Sequence, residues 1–328
     1  MRAIQWRRNG PAREVLEMVE LPDPAPGPGE VLVRVHASGV NPHDTKARAG
    51  WRGVTQQGDP VIPHSDGAGV IAALGEGVPA ERLGERVWIF GARHGRGTCA
   101  ELVALPASQA VPLPEGVPMV QGACLGVPCL TAHLALFSDG PIAGRTVLVQ
   151  GGAGAVGIAA VRFASFAGAR VIATASTEAK RQAAHDAGAA ETLDYRDPHS
   201  AANILELTGG AGVDRIIEVD FGANQAMDGA VIAPHGTIAA YSSTREPRPV
   251  LDYYVFAKKA ATLRFVQAML LHGAALEAAV AATSAAVASG AMRLPLAGVF
   301  AFEDAAEAHM AQEAGPVGKV VVEVAAEP

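Results

Sequence analysis

The spacing of apolar positions changes character near residue 119 of this 328-residue chain. Before that point, short β-branched runs alternate partly with polar residues and are cut by turn formers. Residues 30–37 follow a Pro/Gly cluster at 22–29, and 67–75 and 86–90 read as further short strands. Helical spacing is nearly absent here, which predicts a β-rich, partly barrel-like domain. From Met119 onward, helical and strand patterns alternate. A helix is expected over 121–137, interrupted at Pro128, with strands over 147–150, 170–174, 191–194, 215–219 and 237–241. Helices over 156–166, 178–187, 200–208 and 224–232 lie between those strands. Such alternation predicts an α/β fold, a doubly wound parallel sheet covered on both faces. The tail adds an alanine-rich helix over 274–292, a strand at 296–300, a short helix at 302–313 and a last strand at 319–324. That last strand can rejoin the first domain, which makes the alternating segment an insertion.

The run Val147-Leu148-Val149-Gln150 ends abruptly in glycine and then becomes an apolar helix. Gly152, Gly154 and Gly157 match G-x-G-x-x-G, with Ala153, Ala155 and Val156 between them. A dinucleotide pyrophosphate needs this order of strand, glycine turn and helix, because the backbone must approach the phosphates and the helix start must offer free N–H groups. The next expected strand, 170–174, runs into Ala175-Ser176-Thr177 with no carboxylate at its tip. NAD sites place an Asp or Glu there for the ribose 2′-hydroxyl. Ser176, Thr177 and Lys180 instead offer hydroxyls and a cation, which suits a 2′-phosphate and favours NADPH. Lys180 and Arg181 read equally as a solvated helix face, and Glu178 stands one turn into that helix.

Composition narrows the rest. With 49% hydrophobic and 18% charged residues the chain is that of a globular protein. A net charge of −7 argues against unspecific binding to nucleic acid or anionic membrane, so a phosphate-bearing ligand must be held by local geometry. Cys99, Cys124 and Cys129 make neither a disulfide framework nor a structural zinc set, and fit a reducing compartment. No secretory signal is read at residues 1–8, and the alanine-rich stretch carries Glu277 and Gly290. A cytoplasmic protein is expected.

The motifs Ala-Ser-Gly-Val-Asn-Pro-His-Asp at 37–44 and Ile-Pro-His-Ser-Asp-Gly-Ala-Gly-Val at 62–70, with 84–87, 97–101, 125–132 and 150–157, carry a resemblance over nearly the whole length. The chain resembles the zinc-independent quinone oxidoreductases, of the zeta-crystallin type, among the medium-chain dehydrogenase/reductases. The resemblance implies a GroES-like substrate domain from 1–118 and 263–328 around a Rossmann NADPH domain at 119–262. It also implies cofactor in the cleft between them and a homodimer. By matching position, Asn41 and Asp44 would lie near the nicotinamide, with Thr131 at the cleft floor. Ala153, Gly154, Ala155 and Val156 would cradle the pyrophosphate, and Ser176, Lys180 and Tyr195 would surround the 2′-phosphate. Gly222, Tyr241, Ser242 and Ser243 would line the adenosine and nicotinamide side, and Phe265, Val266 and Gln267 would reach the nicotinamide.

Where the zinc-dependent branch has a cysteine and a histidine, this chain has Asn41 and Ser65, which are not a zinc ligand set. His64 and Asp66 alone are too few, so no metal is expected. Without a Lewis acid, acceptors that take hydride easily are favoured: quinones and α,β-unsaturated carbonyls. Family members usually have glycine where His64 stands, and Asp220 and the three cysteines are further departures. Asn41, Asp44 and Thr131 are expected to hold the acceptor. Candidate proton donors are His64 and Tyr241, then His43 and Lys46, although packing or solvent exposure would account for each. Trp51, Phe256, Phe265 and Trp88 offer an aromatic wall, while Cys124 and Cys129 read as small buried hydrophobes. Two alternatives stand beside the reductase. An enoyl-thioester reductase generally needs a tyrosine soon after Asn41-Pro42, where Trp51 stands instead. A crystallin-like protein that binds NADPH without turnover would keep the glycine turn.

Overall fold

The computed structural model describes residues 1–51, 57–92 and 96–327. The chain divides into two compact units, Met1–Val127 with Thr283–Pro328, and Pro128–Ala282. The sequence pattern and the family resemblance place the boundaries near 119 and 263. The helix Met119–Gly122 is tied to the first unit by the Gln121 amide, which donates to the Leu294 carbonyl at 3.1 Å.

The first unit holds ten strands among its described residues: β1 (Arg2–Arg8), β2 (Glu17–Glu20), β3 (Glu30–Val40), β4 (Gln57–Val61), β5 (Asp66–Leu74), β6 (Arg86–Ile89), β7 (Leu102–Pro106), β8 (Ala110–Pro112) and, from the tail, two more described below. β2, β1 and β4 make a small antiparallel sheet. β3 is the spine of the larger one. Val31, Val33 and Val35 alternate inward along it and pack with Ile71, Val87, Ile89 and Phe302. The helix Pro42–Ala49 follows β3 directly, with Gly50 ending it at φ +75°. Sequence spacing had shown no helix there, because only its polar capping residues mark it.

The second unit carries β9 (Thr146–Val149), β10 (Arg170–Thr174), β11 (Glu191–Leu193), β12 (Val213–Glu218), β13 (Ile232–Ala240) and β14 (Thr262–Phe265). They form one parallel sheet in the order β11-β10-β9-β12-β13-β14, the doubly wound dinucleotide order with its switch point between β9 and β12. Val147, Leu148, Val149, Ile216 and Ile217 are fully buried, as expected for strands covered on both faces. Helices Ala155–Phe166, Glu178–Asp186, Ser200–Leu207 and Phe221–Val231 connect them.

Two expectations shift. Helix Gly126–Phe137 passes through Pro128 unbroken, and the interruption falls instead at 123–125. Pro128 stands in the first turn, where its missing N–H has no helical partner to lose. The expected strand at 237–241 starts earlier, at Ile232. The tail closes the first unit. β15 (Leu296–Ala301) pairs parallel with β16 (Lys319–Glu323), which runs antiparallel to β3, Val321 opposite Gly39. The nucleotide unit is therefore an insertion.

Candidate functional site

In the second unit the turn after β9 is shaped by three different demands on glycine. Gly151 takes φ +70°, a left-handed conformation that favours glycine. A Cβ on Gly157 would lie 2.2 Å from the Gly151 carbonyl, so close packing of helix on turn forbids one. A Cβ on Gly154 would meet nothing nearer than 3.7 Å. Packing within the protein does not require that glycine. It caps the helix Ala155–Phe166, its carbonyl accepting from the Ile158 N–H at 2.8 Å, and leaves the helix N-terminus open to an anion. Gly152 and Ala153 are buried, while Ala155 and Val156 are half-buried in the first turn.

The tip of β10 carries Ser176 and Thr177. The Thr177 hydroxyl caps the next helix by accepting from the Lys180 N–H at 3.3 Å. Arg181 is spent on Glu178 at 2.7 Å and Asp194 at 3.4 Å, an ordinary helix-face pairing. A second cation enters from elsewhere. Arg196 donates to the Ser176 carbonyl and pairs with Asp194 at 2.7 Å. Beside it, Arg245 stacks 5.9 Å from the Tyr195 ring and pairs with Asp220 at 2.6 Å. Tyr195 thus has the Arg245 guanidinium over its ring and Arg196 as its chain neighbour.

At the end of β13, the Ser243 hydroxyl accepts from the Gly222 N–H at 3.0 Å, and the Ser242 carbonyl accepts from Phe221 N–H at 3.0 Å. Tyr241 N–H donates to the Glu218 carbonyl at 3.0 Å. Burial, then the Glu218 charge, pushes the Tyr241 phenol far above its ordinary range, so it keeps its proton. Phe265 is exposed, Val266 is buried with its N–H on Ala240, and the Gln267 side chain accepts from Met269 N–H. Thr131 is buried on the helix Gly126–Phe137.

In the first unit Asn41 and Asp44 come together at the start of the helix Pro42–Ala49. The Asn41 side chain is fully committed: Oδ1 accepts from Lys319 Nζ at 2.6 Å and Nδ2 donates to Asp66 Oδ2 at 2.7 Å. Lys319 also pairs with Asp66 at 2.9 Å, and all three are buried. The other Asp66 oxygen accepts from Val127 N–H at 2.8 Å. An ammonium thus sits between the two segments that supply metal ligands in the zinc-dependent branch. Asp44 accepts from Asn41 N–H at 2.8 Å and faces His43 Nε2 at 3.1 Å. Burial works to raise its carboxyl, but His43 and that N–H outweigh it and hold Asp44 well below the usual range. The partner effect raises His43: burial opposes its charge, and Asp44 favours it. His43 Nε2 also lies 3.0 Å from the Ser65 hydroxyl.

His64 takes no exposed position. It is 2% exposed at φ +73°, its Nδ1 2.8 Å from the Ser38 hydroxyl and its Nε2 2.9 Å from His309 Nε2. Burial lowers it to about 4, and burial and then His64 lower His309 to about 3, so both rings are neutral near pH 7. The ring fills the interior instead of presenting a proton donor. Cys124 is buried and pushed up to about 12. Among the described residues no group of three or more His, Cys, Asp and Glu side chains is arranged to hold a metal.

Lys319, Arg196, Arg245 and His309 were not anticipated. Lys319 and His309 are remote in sequence from Asn41 and His64, while Arg196 and Arg245 lie next to Tyr195 and Ser243 but reach their partners across neighbouring strand ends.

A GroES-like β unit with an inserted doubly wound sheet and a glycine turn defines a medium-chain dehydrogenase/reductase. Residues 27–115 match the alcohol dehydrogenase GroES-like domain, and 155–288 match the zinc-binding dehydrogenase domain. A quinone oxidoreductase of Rattus norvegicus is 36% identical over 244 residues, 73% of this chain and 72% of the relative. A mycobacterial protein solved in complex with NADPH superimposes with a TM-score of 0.88 at 32% identity, covering 99% of this chain and 100% of that one. A structure described as an NAD-dependent alcohol dehydrogenase gives 0.89 at 29% identity, covering 99% and 100%. The chain belongs to the quinone oxidoreductase family of medium-chain dehydrogenase/reductases and is an oxidoreductase.

Proposed function

We propose that this protein reduces quinones and α,β-unsaturated carbonyls with NADPH and without a metal. The observation that carries the reading is the commitment of Asn41. At a metal-ligand position of the zinc branch, both ends of its amide are held by Lys319 and Asp66, and the ammonium already stands against the oxygen that a cation would need. Similarity to the rat quinone oxidoreductase supports the acceptor class.

The residues of the second unit fit a dinucleotide. The open Cβ position of Gly154 leaves room for a pyrophosphate over free N–H groups. Ser176, Thr177, Lys180, Tyr195 and Arg196 gather hydroxyls and cations where a 2′-phosphate would be held, with no carboxylate on Ser176 or Thr177 to repel it. Gly222, Tyr241, Ser242, Ser243 and Thr131, with the 265–267 segment, complete the proposed cofactor contacts. NADPH, when bound, supplies hydride. The chain's part is to orient acceptor and cofactor and to exclude water. Asn41 and Asp44 form the acceptor-side polar wall. Asp44 favours the charged form of His43, whose Nε2 is the proposed source of a proton for the reduced acceptor.

The alternatives are told apart by NADPH oxidation against quinones, enones and acyl thioesters. Turnover of quinones and enones above thioesters is expected, with His43→Gln lowering kcat more than KM. Tight NADPH binding with no turnover on any of them would sink the enzyme reading in favour of a crystallin-like role. Equal affinity for NADH would sink the cofactor assignment. A homodimer through β14 is also proposed. That strand ends the sheet, with Tyr253, Tyr254 and Phe265 exposed around it. Light scattering at the monomer mass would refute it. Among the described residues no helix is long and apolar enough to cross a membrane, and a cytoplasmic location is part of the proposal.

A further inference from the structure

Two carboxyl groups lie in the interior of the dinucleotide unit without a cation. Glu218 ends β12 and Asp228 stands on helix Phe221–Val231, and both are 0% exposed. One oxygen of each is satisfied by neutral donors. Glu218 Oε1 accepts from Asp220 N–H and from the Asn224 amide at 2.9 Å, and Asp228 Oδ1 accepts from the Gln150 amide at 3.1 Å. The remaining oxygens, Glu218 Oε2 and Asp228 Oδ2, have no donor, although the two side chains are within hydrogen-bonding reach of each other. Two adjacent buried carboxylates would repel strongly, whereas one proton between them satisfies both orphan oxygens at once.

The pair is wired to the glycine turn. Gln150 Oε1 accepts from the Thr174 hydroxyl at 2.5 Å, and the Thr174 hydroxyl oxygen accepts from Gly151 N–H at 3.4 Å. The Thr174 carbonyl accepts from Gly152 N–H at 2.9 Å. Asp228 therefore fixes which way the Gln150 amide points, and that amide fixes Thr174 beneath both glycines.

We propose that Glu218 and Asp228 share one proton and that this protonated pair positions the 151–154 turn to receive the dinucleotide pyrophosphate, an inference that rests on the cofactor reading above. They are positioning residues, not catalytic ones. Burial, and for Asp228 the neighbouring carboxylate, hold both groups above the ordinary carboxyl range. The other charged or titratable groups facing the pair are Asp220 with Arg245, which neutralise one another at 2.6 Å, and the neutral Tyr241 phenol. Loss of the shared proton drives the carboxylates apart and frees the Gln150 amide to turn over. The glycine turn then loses its support, and cofactor affinity falls as pH rises.

The test compares NADPH dissociation constants of the wild-type protein and Asp228→Asn by calorimetry from about pH 6 to about pH 10. The asparagine carries a permanent N–H toward Glu218 and keeps an oxygen for Gln150. The wild-type constant is expected to rise at least about tenfold relative to the variant across this range. A constant ratio overturns the proposal. Asp228→Leu, which orphans Gln150 and Glu218, should weaken binding at every pH, and wild-type affinity in that variant also overturns it. Melting of the cofactor-free protein reads the shared proton without any ligand. The wild type should lose stability with rising pH over the same range and Asp228→Asn should not, and parallel profiles count against the pair. Failure of the wild type to bind NADPH at all pH values refutes the cofactor reading, and the melting profiles still decide the shared proton.

Discussion

His64→Gly puts the sequence resemblance and the observed packing in opposition. Glycine is the usual residue at this position in the family, and φ +73° is a conformation that costs an L-residue about 1–2 kcal/mol. On backbone grounds alone the substitution should stabilise by about 1 kcal/mol once the extra freedom of the unfolded glycine is allowed for. The side chain decides otherwise. Without the ring, His309 Nε2 loses its 2.9 Å partner, and its Nδ1 already has none, so a 0% exposed imidazole is left without any hydrogen bond. That orphaning costs about 1–3 kcal/mol, and the vacated space adds about 2 kcal/mol. Ser38 is spared, since its hydroxyl keeps Thr98 Oγ1 at 2.7 Å. The expected net loss is about 2–4 kcal/mol, or a fall of at least about 4 °C in melting temperature for a unit of this size. Trp6, Trp51 and Trp88 are the three tryptophans of the chain and all lie in the first unit. Tryptophan fluorescence therefore follows that unit alone during the melt. Moving His64→Gly into a His309→Leu background removes the orphaned ring and should shrink the loss by at least about 1 kcal/mol. An unchanged or raised melting temperature for His64→Gly, or full additivity with His309→Leu, would refute the argument.

The same pair makes acid the weak side of the first unit. His64 is lowered to about 4 from 6.5, so between those values the unfolded chain binds the extra proton and stability falls as pH drops, by on the order of 3 kcal/mol. Tryptophan-detected melts should show this loss and His64→Gly should flatten it; identical acid profiles would contradict the assignment. Lys319→Met leaves Asp66 buried and unpaired, which should cost about 3–5 kcal/mol, with partial recovery when Asp66→Asn is added. Recovery is read from the same melts, and a double variant no better than the single one would speak against the buried pair. Gly154→Ala should melt within about 1 °C of wild type, since the new Cβ meets nothing nearer than 3.7 Å, yet bind NADPH at least about tenfold more weakly. Gly157→Ala should instead unfold earlier, and equal calorimetric affinity of Gly154→Ala and wild type would remove the pyrophosphate from that position.

What the sequence made legible follows from which forces act locally. β9 is buried along Val147, Leu148 and Val149, so it appears as an uninterrupted Val/Leu run, and glycine at 151 and 152 marks its end. The turn at 151–157 is readable because its glycines are closely spaced between a strand and a helix, and Gly157 answers the Gly151 carbonyl six residues before it. The helix Pro42–Ala49 was not readable by periodicity, because capping by Asn41 and Asp44, not an apolar face, defines its start. The polar clusters were still less accessible. Lys319 reaches Asn41 across 278 residues, and His309 reaches His64 across 245.

Arg196 shows that part of this gap can be closed without coordinates. Residue pattern alone offers 2′-phosphate partners only at the tip of β10 and on the helix that follows it, and Tyr195 enters only through the family resemblance. In the doubly wound order, however, β11 lies parallel beside β10, with Leu193 opposite Thr174. Residues two or three past the end of β11 must then arrive beside residues two or three past the end of β10. Counting on that register alone brings Tyr195 and Arg196 next to Ser176, where the guanidinium is found. Once strand order is inferred from alternation, tips of neighbouring strands can be read as one site. The same count carries β12 beside β9 and brings Glu218 close to Gln150, the start of the chain of contacts that ends at the glycine turn.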